Sequence, residues 1–546
     1  MQRTLSSAGW PSAASRPEPA REIILAAGVA SALAALLAWF GPPGNDLAAH
    51  VYQRAVFLKD GFELWNNFWY AGRYSFVTYS ILYYPLAAVV GIKLLGVLSI
   101  GVAALAFAAV VRQEWGSAAR WSARAFAVVW AGMMISAAFP FVLGCAFALL
   151  AIWALQRRRL WLFGCLTALV LGASPLAFLL LVLVLGGVAL TRRDRELWLV
   201  PGAIVATAGV TWILVWRLFP SGGRYPFPAS ALAAACVFCV IGAALTWRVE
   251  RARLLHGIFL VYLAANVVSY AVPSTVGENI ARLRFLAIPL ALLALSLRSW
   301  RPRPLAVLVL MLATSWNITP LAASFVRERS DPTVEASFWQ PAISFLREHL
   351  TPSYRVEAVD TAGHWAARYL PEAGIPLARG WFRQDDFPSN EVLYDQLGPR
   401  TYLAWLRSLA VRYVVLTDAR PDYSSRAEAE LLADGRSGLR TVFASSHVTI
   451  YEVPSPQALV TGPGRSEVIA LTAREISIRV RRPGSYRIAV RYSPYWQASH
   501  GCVEKGRDAM LRLHALNAGR VDLKFDFRAA QLLEPFGARR SSACDE

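Results

Sequence analysis

Eleven apolar stretches follow one another through the first 325 residues of this 546-residue chain. A transmembrane helix needs roughly 20 apolar residues to cross a bilayer, and several of these stretches are shorter, so we expect tilted or half-length helices among them. The sequence therefore predicts a polytopic α-helical membrane protein with about 11 spans. The expected spans are 23–40, 82–111, 123–139, 141–155, 160–173, 175–190, 197–216, 230–247, 254–272, 281–297 and 304–323.

Arginines collect in every other connecting segment. They precede the first span, follow the second, and then recur in short basic loops at 156–159, 192–195, 248–253 and 298–303. Short cytoplasmic loops are rich in Lys and Arg, so this alternation predicts a cytoplasmic tail (1–22) and a C-terminal region outside. The transmembrane domain would then cover 23–325, with an external first loop at 41–81.

The net charge of +19 is concentrated in the membrane part. Residues 1–326 hold 26 basic and 10 acidic side chains, whereas residues 327–546 hold 29 and 26. Basic loops beside a membrane are attracted to anionic lipid headgroups, which accounts for the excess without a polynucleotide. We therefore expect the lipid bilayer as a partner and no nucleic acid.

The region after the last span has two parts. Residues 326–460 mix helical and strand patterns, and residues 461–546 hold short alternating segments between Gly, Pro and polar turns. The second pattern is typical of a small antiparallel sandwich. The sequence predicts an extracytoplasmic α/β domain followed by a β-sandwich domain. The helices expected in the first part are 338–349 and 402–410, and the strands are 355–359, 412–416 and 449–453.

Cys502 and Cys544 both fall in the region expected outside, where the environment is oxidising. The compartment and the even number allow a disulfide bond between them, although spacing alone does not establish it. We keep the pair as a disulfide candidate.

The first external loop contains the acidic residue of most interest. At helical spacing Asp46, His50 and Gln53 share one face and apolar residues share another, which predicts an amphipathic helix along the outer membrane surface. Asp46 has two interpretations, a helix N-cap or a carboxylate held at the mouth of the helical bundle. His50 is either a surface histidine or a neighbour of a catalytic group.

Motifs in two parts of the chain resemble one family. The first loop and the start of the second span contain Gly61-Phe62-Glu63-Leu64-Trp65-Asn66, Gly72 and Tyr83-Tyr84-Pro85. The external region contains Ala410-Val411-Arg412-Tyr413-Val414-Val415-Leu416 and Tyr492-Ser493-Pro494-Tyr495-Trp496. Together these motifs resemble the YfhO-like membrane proteins of the fold-C (GT-C) glycosyltransferase superfamily.

The resemblance implies an enzyme that transfers a sugar from a polyprenyl-phosphate carrier to a cell-envelope glycan or glycolipid on the outer face of a bacterial plasma membrane. It implies the first-loop aspartate, Asp46, as the catalytic base, and His50 is its candidate neighbour on the same helix face. Asn45-Asp46 departs from a paired-acid metal motif, so no metal ligand is assigned and a divalent metal ion is left open. No other cofactor is expected.

The reaction needs cations as well as a base. The phosphate gains negative charge as it leaves the anomeric carbon, and guanidinium groups stabilise such charge through bidentate hydrogen bonds. Glu278, Arg282 and Arg284 lie at the outer end of the tenth span, where arginines run against the charge bias. Arg282 is the candidate phosphate ligand, with Glu278, Arg284 and Arg224 as further binding residues. The alternative is that arginines at a helix end only extend to the headgroups.

Two other functions fit the same sequence. A non-catalytic envelope scaffold or glycan-binding membrane protein would use the external region for binding and Asp46 only as a helix cap. A transporter would need polar or ionisable groups within its spans, and Asn266 is the most notable candidate for such a group.

Overall fold

The computed structural model describes residues 18–192, 196–220, 222–394, 396–528 and Cys544. Residues 1–17 of the expected cytoplasmic tail (1–22) lie outside the described residues. Residues 18–22 form the start of the first helix. Residues 529–543 of the expected β-sandwich also lie outside them.

The chain forms two compact units, each built from three separate segments. The first unit contains Met1–Pro42, Val89–Trp212 and Pro226–Val326, and the second contains Pro43–Ala88, Ile213–Tyr225 and Arg327–Glu546. The sequence assigns the first loop to the transmembrane domain, whereas the structure groups it with the C-terminal region.

Apolar helices make up the first unit. Eight helical stretches of the described residues are long and apolar enough to cross a membrane, and Leu160–Ala173 and Pro175–Thr191 form shorter apolar helices. All eleven stretches predicted from hydropathy coincide with helical structure, so the chain has the fold of a multi-pass membrane protein. The number of helices that span the membrane and the direction in which each one crosses it remain predictions. The helices are α1 (Glu18–Phe40), α2 (Leu47–Asp60), α3 (Tyr83–Val90), α4 (Ile92–Trp115), α5 (Arg120–Ala131), α6 (Met133–Ser136), α7 (Phe139–Gln156), α8 (Leu160–Ala173), α9 (Pro175–Thr191), α10 (Glu196–Leu218), α11 (Ala229–Thr246), α12 (Arg253–Ala271), α13 (Ala287–Leu297), α14 (Arg303–Arg329), α15 (Ala336–His349), α16 (Ala366–Glu372), α17 (Pro399–Ser408) and α18 (Arg426–Ala433).

The second predicted span, 82–111, is wrong in one respect. The structure breaks it at Gly91, whose φ of +88° is a conformation that other residues rarely adopt, so α3 ends at Val90 and α4 begins at Ile92. Apolar residues continue through the break, which is why hydropathy does not reveal it. The first loop therefore extends through Ala88.

Small residues bring two helices of the first unit close together. A Cβ atom on Gly187 of α9 would lie 2.5 Å from the Cα of Ile258 in α12, and one on Gly257 would lie 2.5 Å from the carbonyl oxygen of Gly187. Helices in a membrane associate through such close packing, because lipid tails are as apolar as their side chains. The contact fixes α9 against α12 beside a cavity described below.

The second unit contains a mixed four-stranded sheet. Its order is β3-β4-β6-β5, with β3 parallel to β4 and the other neighbours antiparallel. Helix α17 covers this sheet through Tyr402, Trp405 and Leu406, which share a core with Val414 of β4. The strands of the chain are β1 (Trp65–Asn66), β2 (Arg73–Tyr74), β3 (Arg355–Ala358), β4 (Val411–Thr417), β5 (Arg440–Ala444), β6 (Val448–Glu452), β7 (Val460–Thr461), β8 (Ser466–Leu471), β9 (Glu475–Val480), β10 (Gly484–Arg491), β11 (Trp496–Ala498), β12 (Cys502–Lys505), β13 (Met510–Ala515) and β14 (Gly519–Phe525).

Two further four-stranded sheets follow in the same unit. Their orders are β12-β13-β10-β7 and β11-β14-β9-β8, and all their described pairings are antiparallel. Alternate residues point into a shared core, as Ile476, Ile478 and Val480 do along β9. This is the small antiparallel sandwich that the alternating segments predict.

Cys502 in β12 and Cys544 form a disulfide bond, with their Cα atoms 5.1 Å apart. The bond attaches the C-terminal end of the chain to an edge strand of the sandwich, since β12 is the outermost strand of its sheet.

Candidate active site

The ribbon formed by residues 65–74 of the first loop is buried within the second unit. In it β1 pairs with β2, and Trp65 stacks on Phe525 of the β-sandwich with 5.1 Å between ring centroids. The side chain of Asn67 donates a hydrogen bond to the carbonyl oxygen of Thr472 at 2.9 Å. One side of the ribbon is thus part of the sandwich core.

The same ribbon also contacts the α/β domain. Trp69 Nε1 donates to the carbonyl oxygen of Ala367 at 2.9 Å, and the Tyr70 hydroxyl donates to the carbonyl oxygen of Phe382 at 2.7 Å. Both aromatic side chains are buried, so these bonds satisfy groups that water does not reach. The first loop is an integral part of the folded second unit.

Helix α2 presents its polar face to the protein interior. His50 and Gln53 are 0% and 1% exposed, whereas Leu58, from the predicted apolar face, is 56% exposed. The predicted amphipathic helix is confirmed, and its position along the outer membrane surface stays a prediction. The polar face is buried because partners from the first loop meet it: Ser75 Oγ donates to Gln53 Oε1 at 3.2 Å, and His50 Nδ1 lies 3.1 Å from the Tyr84 hydroxyl.

Asp46 occupies the N-cap position of α2 and is half-buried. Its backbone carbonyl accepts the His50 N–H at 3.3 Å, but its side chain makes no capping hydrogen bond. The backbone thus holds the Asp46 carboxylate at the end of the helix without using it as a cap.

His50 lies inside an aromatic cluster one helical turn after Asp46. Its ring centroid lies 5.6 to 6.1 Å from those of four aromatic residues, namely Tyr79, Tyr83, Tyr84 and Trp381. The interpretation of His50 as a surface histidine is therefore wrong. Because Trp381 comes from the α/β domain, the cluster joins the first loop to that domain within the second unit.

A second carboxylate, which the sequence analysis missed, lies beside the start of α2. Glu328, in the last turn of α14, is 1% exposed. With its amide nitrogen turned toward this carboxylate, Asn45 donates to Glu328 Oε1 at 2.8 Å and accepts from Arg327 Nη2 at 3.1 Å. Its sequence signal, a glutamate between Arg327 and Arg329 just beyond the last span, is indistinguishable from an ordinary solvated charge run.

The loop that contains Trp381 is fixed by a buried arginine before it. Arg379 Nε lies 2.9 Å from Glu357 Oε1, and Arg379 Nη2 lies 3.5 Å from Glu428 Oε2. Burial raises the pKa of both Glu357 and Glu428, even though the Arg379 guanidinium opposes that shift. No sequence pattern reveals this group, because its members are far apart along the chain.

A second buried arginine follows Trp381 in the same loop. Arg383 contacts Asp360, and its Nη2 lies 3.2 Å from Asp422 Oδ2. Asp360 also lies 2.7 Å from Nδ1 of His364. These four side chains form a compact charged cluster, which we call the Arg383 cluster.

The charges of the Arg383 cluster shift the pKa values of its members. Burial would lower the pKa of His364, but the Asp360 carboxylate outweighs burial and raises that pKa above its ordinary value. Burial would raise the pKa of Asp360, but the charges of His364 and Arg383 hold it well below its usual range. Arg383 lowers the pKa of Asp422 in the same way, against the effect of burial.

Three of the predicted binding residues belong to the first unit. Arg282 lies just before α13 and donates through Nε and Nη2 to Asn279 Oδ1 at 3.1 and 2.7 Å. Its guanidinium also lies 4.9 Å over the ring of Phe141, and no carboxylate contacts it among the described residues. Arg284, in contrast, forms an ion pair with Glu278 at 2.7 Å.

A cavity of about 200 Å³ lies among the helices of the first unit. Its lining is mostly apolar and comes from α4, α5, α7, α9, α10, α12, α13 and the segment just before α13. Along α7 the lining extends from Phe141 to Gln156, which corresponds to roughly 22 Å at the helical rise per residue. Arg282 lies at the Phe141 end, and Glu114, which is paired with Arg192, lines the cavity at the end of α4.

The predicted site residues divide between the two units. Asp46, His50 and Arg224 belong to the second unit, and Glu278, Arg282 and Arg284 belong to the first. Arg224 forms an ion pair with Glu391 and lies 5.0 Å over the ring of Phe387, so a carboxylate already neutralises its charge.

The described residues contain one group of three possible metal ligands, Glu504, His514 and Cys544. Cys544 is bonded to Cys502, and the group lies on the β-sandwich. No such set of three includes Asp46 among the residues that the structure describes.

Comparison with known proteins shows a distant likeness in fold. No protein-family profile matches the chain, and no curated protein matches it. The arabinofuranosyltransferase AftD from Mycobacteria has a TM-score of 0.45 and 17% sequence identity, and the match covers 88% of this chain and 42% of that one. This chain therefore spans less than half the length of that protein.

Two structures from Archaeoglobus fulgidus are also similar. The apo oligosaccharyltransferase has a TM-score of 0.43 and 13% identity, covering 84% of this chain and 80% of that one. The oligosaccharyltransferase AglB, in complex with an inhibitory peptide and a dolichol-phosphate, has a TM-score of 0.36 and 13% identity, covering 73% and 69%. At these identities and TM-scores the likeness concerns the fold alone and carries no conclusion about the activity of this chain.

The Arg383 cluster predicts a pH-dependent stability of the second unit. Because folding raises the pKa of His364, this residue stabilises the second unit fully below its unfolded-state pKa of about 6.5. The stabilisation is lost as the pH rises through the pKa of His364 in the folded state. Because folding lowers the pKa of Asp360, this residue stabilises the second unit above about pH 4. The stabilisation is lost as the pH falls toward the pKa of Asp360 in the folded state. We expect His364→Gln to flatten the alkaline fall in stability and Asp360→Asn to flatten the acid fall, measured by thermal unfolding of the full-length protein in detergent.

His447 provides a matched control for this prediction. It lies 2.8 Å from Asp418, as His364 does from Asp360 at 2.7 Å, but both members of the His447 pair are about half exposed. Exposed ion pairs contribute little to stability, so His447→Gln should leave the pH profile unchanged. An unchanged profile in His364→Gln as well would contradict the role assigned to the cluster.

Proposed function

We propose that this protein is a membrane glycosyltransferase that transfers a sugar from a polyprenyl-phosphate-linked donor to a cell-envelope glycan or glycolipid on the outer face of a bacterial plasma membrane. The observation that supports this most directly is the elongated apolar cavity with Arg282 at one end. A polyprenyl phosphate has the complementary chemistry, because it is a long apolar chain that ends in an anion.

The dimensions of the cavity favour an extended hydrocarbon chain. Protein interiors are close-packed, and the few voids they contain are small. A space that extends roughly 22 Å along α7 follows most of the length of a membrane-spanning helix. An isoprenoid chain lying in it would replace lipid contacts with contacts to α7, α9 and α12.

The environment of Arg282 favours an anionic group at the end of that chain. A guanidinium has five N–H donors, and Asn279 accepts from two nitrogens of Arg282 through a neutral amide oxygen. A positive charge beside apolar side chains is costly unless an anion accompanies it. A phosphate would supply that charge and accept the remaining N–H donors. Arg284 is already neutralised by Glu278, so we assign it and Glu278 to supporting this segment.

The transfer step requires a base for the acceptor hydroxyl. The hydroxyl oxygen attacks the anomeric carbon of the donor sugar, the bond between that carbon and the phosphate oxygen breaks, and the phosphate leaves with the electron pair. In our proposal the Asp46 carboxylate takes the hydroxyl proton, which is the role that the first-loop motifs imply for it, and it lies half-buried at the N-cap of α2. His50 and Tyr84 hold this end of α2 in place and act as positioning residues.

The proposal places the second unit outside the cell. The alternation of basic loops supports this orientation, as does the disulfide bond between Cys502 and Cys544, because such bonds persist in oxidising compartments. In the same orientation Arg282 lies at the outer end of its span.

Asp46→Asn should abolish sugar transfer while leaving the protein folded. The amide keeps the shape of the side chain but takes no proton, and general-base catalysis typically contributes at least about 100-fold to a rate. The measurement is release of polyprenyl phosphate by purified full-length protein from a panel of synthetic polyprenyl-phosphate sugars, with envelope glycan extract as acceptor. Asp60→Asn is the control, because Asp60 is exposed at the other end of the same helix. Transfer by Asp46→Asn at the wild-type rate would contradict the mechanism and favour the scaffold function.

Arg282→Ala should weaken donor binding. Loss of a hydrogen bond to a charged group costs about 1.5 to 3 kcal/mol, so the Kd for a polyprenyl phosphate should rise about tenfold to 150-fold. Binding is measured in detergent with a short-chain polyprenyl phosphate and with the uncharged polyprenol. Arg253→Ala, an exposed arginine at the start of α12, serves as control. If Arg282→Ala binds the phosphate as tightly as the wild type does, Arg282 is not the phosphate ligand.

A further inference from the structure

We infer that Trp381 is a stacking platform for a sugar ring beside Asp46. This inference rests on the proposed glycosyl transfer and adds to it a residue that contacts the saccharide itself. Carbon-bound hydrogens on one face of a sugar ring pack against an aromatic ring while its hydroxyls bond to nearby polar groups, as in other ligand sites lined by aromatic side chains.

The exposure of Trp381 distinguishes it from the other tryptophans around it. Trp381 is half-exposed, whereas every other tryptophan of the first loop and of residues 327–528 is buried. The buried set is Trp65, Trp69, Trp339, Trp365, Trp405 and Trp496. No hydrogen bond involves the Trp381 indole N–H among the described residues, so this donor is available to a sugar hydroxyl.

The loop that presents Trp381 is held rigidly. A Cβ atom on the preceding residue, Gly380, would lie 2.7 Å from the Trp69 ring, so glycine is required for the close approach of the loop to the ribbon. Arg379 and Arg383, which flank this part of the loop, are both buried in ion pairs with carboxylates. A partly exposed aromatic ring on a fixed loop loses little conformational entropy when a ligand binds, which is what a recognition site requires.

The position of Trp381 links it to the proposed catalytic base. Its ring lies 5.6 Å from the ring of His50, which follows Asp46 by one turn of α2. Tyr79, also half-exposed, meets Trp381 edge to face at 5.6 Å. A sugar stacked on Trp381 would therefore lie close to Asp46, where either the acceptor hydroxyl or the donor sugar has to be for the reaction.

Binding of saccharides to the full-length protein in detergent tests the inference without relying on catalysis. The probes are immobilised short oligosaccharides of glucose, galactose, mannose and arabinose. We expect the wild type to bind at least one of them, Trp381→Ala to bind it about tenfold more weakly or worse, and Trp381→Phe to keep part of the affinity, as expected when a stacking ring is removed or reduced. Tyr423→Ala is the control, because Tyr423 is 50% exposed in the same unit and does not contact His50.

Three results of this experiment would overturn the inference. They are wild-type affinity in Trp381→Ala, an equal loss in Tyr423→Ala, and no binding of any of the saccharides by the wild type. If the wild type binds a saccharide through Trp381 but transfers no sugar from any donor, the proposed function fails and the platform stands.

Kinetics then identify which sugar the platform holds. In a transfer assay, Trp381→Ala should raise the KM for the acceptor if the acceptor sugar stacks there, or the KM for the donor if the donor sugar does. Either result supports the inference. An unchanged KM for both, combined with weaker binding of the protein to anionic phospholipid vesicles, would overturn it and make Trp381 a membrane-interface anchor.

Discussion

The burial of the first-loop ribbon, residues 65–74, is the constraint on which the second unit depends. Its rings pack into the β-sandwich on one side, and its polar groups donate to carbonyl oxygens of the α/β domain on the other. A buried donor left without its acceptor costs about 1 to 3 kcal/mol, so these bonds favour folding of the loop and both domains together. Because α2 is continuous with this ribbon in the chain, the folded core of the unit sets the position of Asp46.

Arg379 and Arg282 differ in what surrounds their charge. In the second unit, Arg379 is buried and neutralised by Glu357, and this ion pair helps to hold the loop next to α2. In the first unit, Arg282 lines an apolar cavity and contacts a neutral amide and an aromatic ring, and none of the described carboxylates pairs with it. The first arrangement stabilises a structure, whereas the second leaves a positive charge for a ligand. This contrast supports the proposed role of Arg282 in lipid-phosphate binding.

Sequence patterns predicted the elements whose signal is local. Apolar stretches and alternating strands identified the helices of the first unit and most strands of the sandwich, because each element repeats its own pattern over many residues. Periodicity predicted the two faces of α2, but it did not show that the polar face meets partners such as Ser75 and Tyr84. Glu328 and Arg379 were missed for a related reason. Arg379 bonds to residues 22 and 49 positions away, and no spacing rule connects such partners.

The central claim is that the first loop and the C-terminal region form one unit on the outer face of the membrane, and cysteine labelling tests it most directly. Single cysteines are introduced at three exposed positions, Asp60, Arg426 and Arg157, after Cys145, Cys165, Cys236 and Cys239 have been replaced. An impermeant maleimide applied to intact cells should label Asp60→Cys and Arg426→Cys, and should label Arg157→Cys only after the membrane is permeabilised. Labelling of Arg157→Cys in intact cells with protection of the other two would invert the topology. Labelling of only one of Asp60→Cys and Arg426→Cys would contradict the single unit.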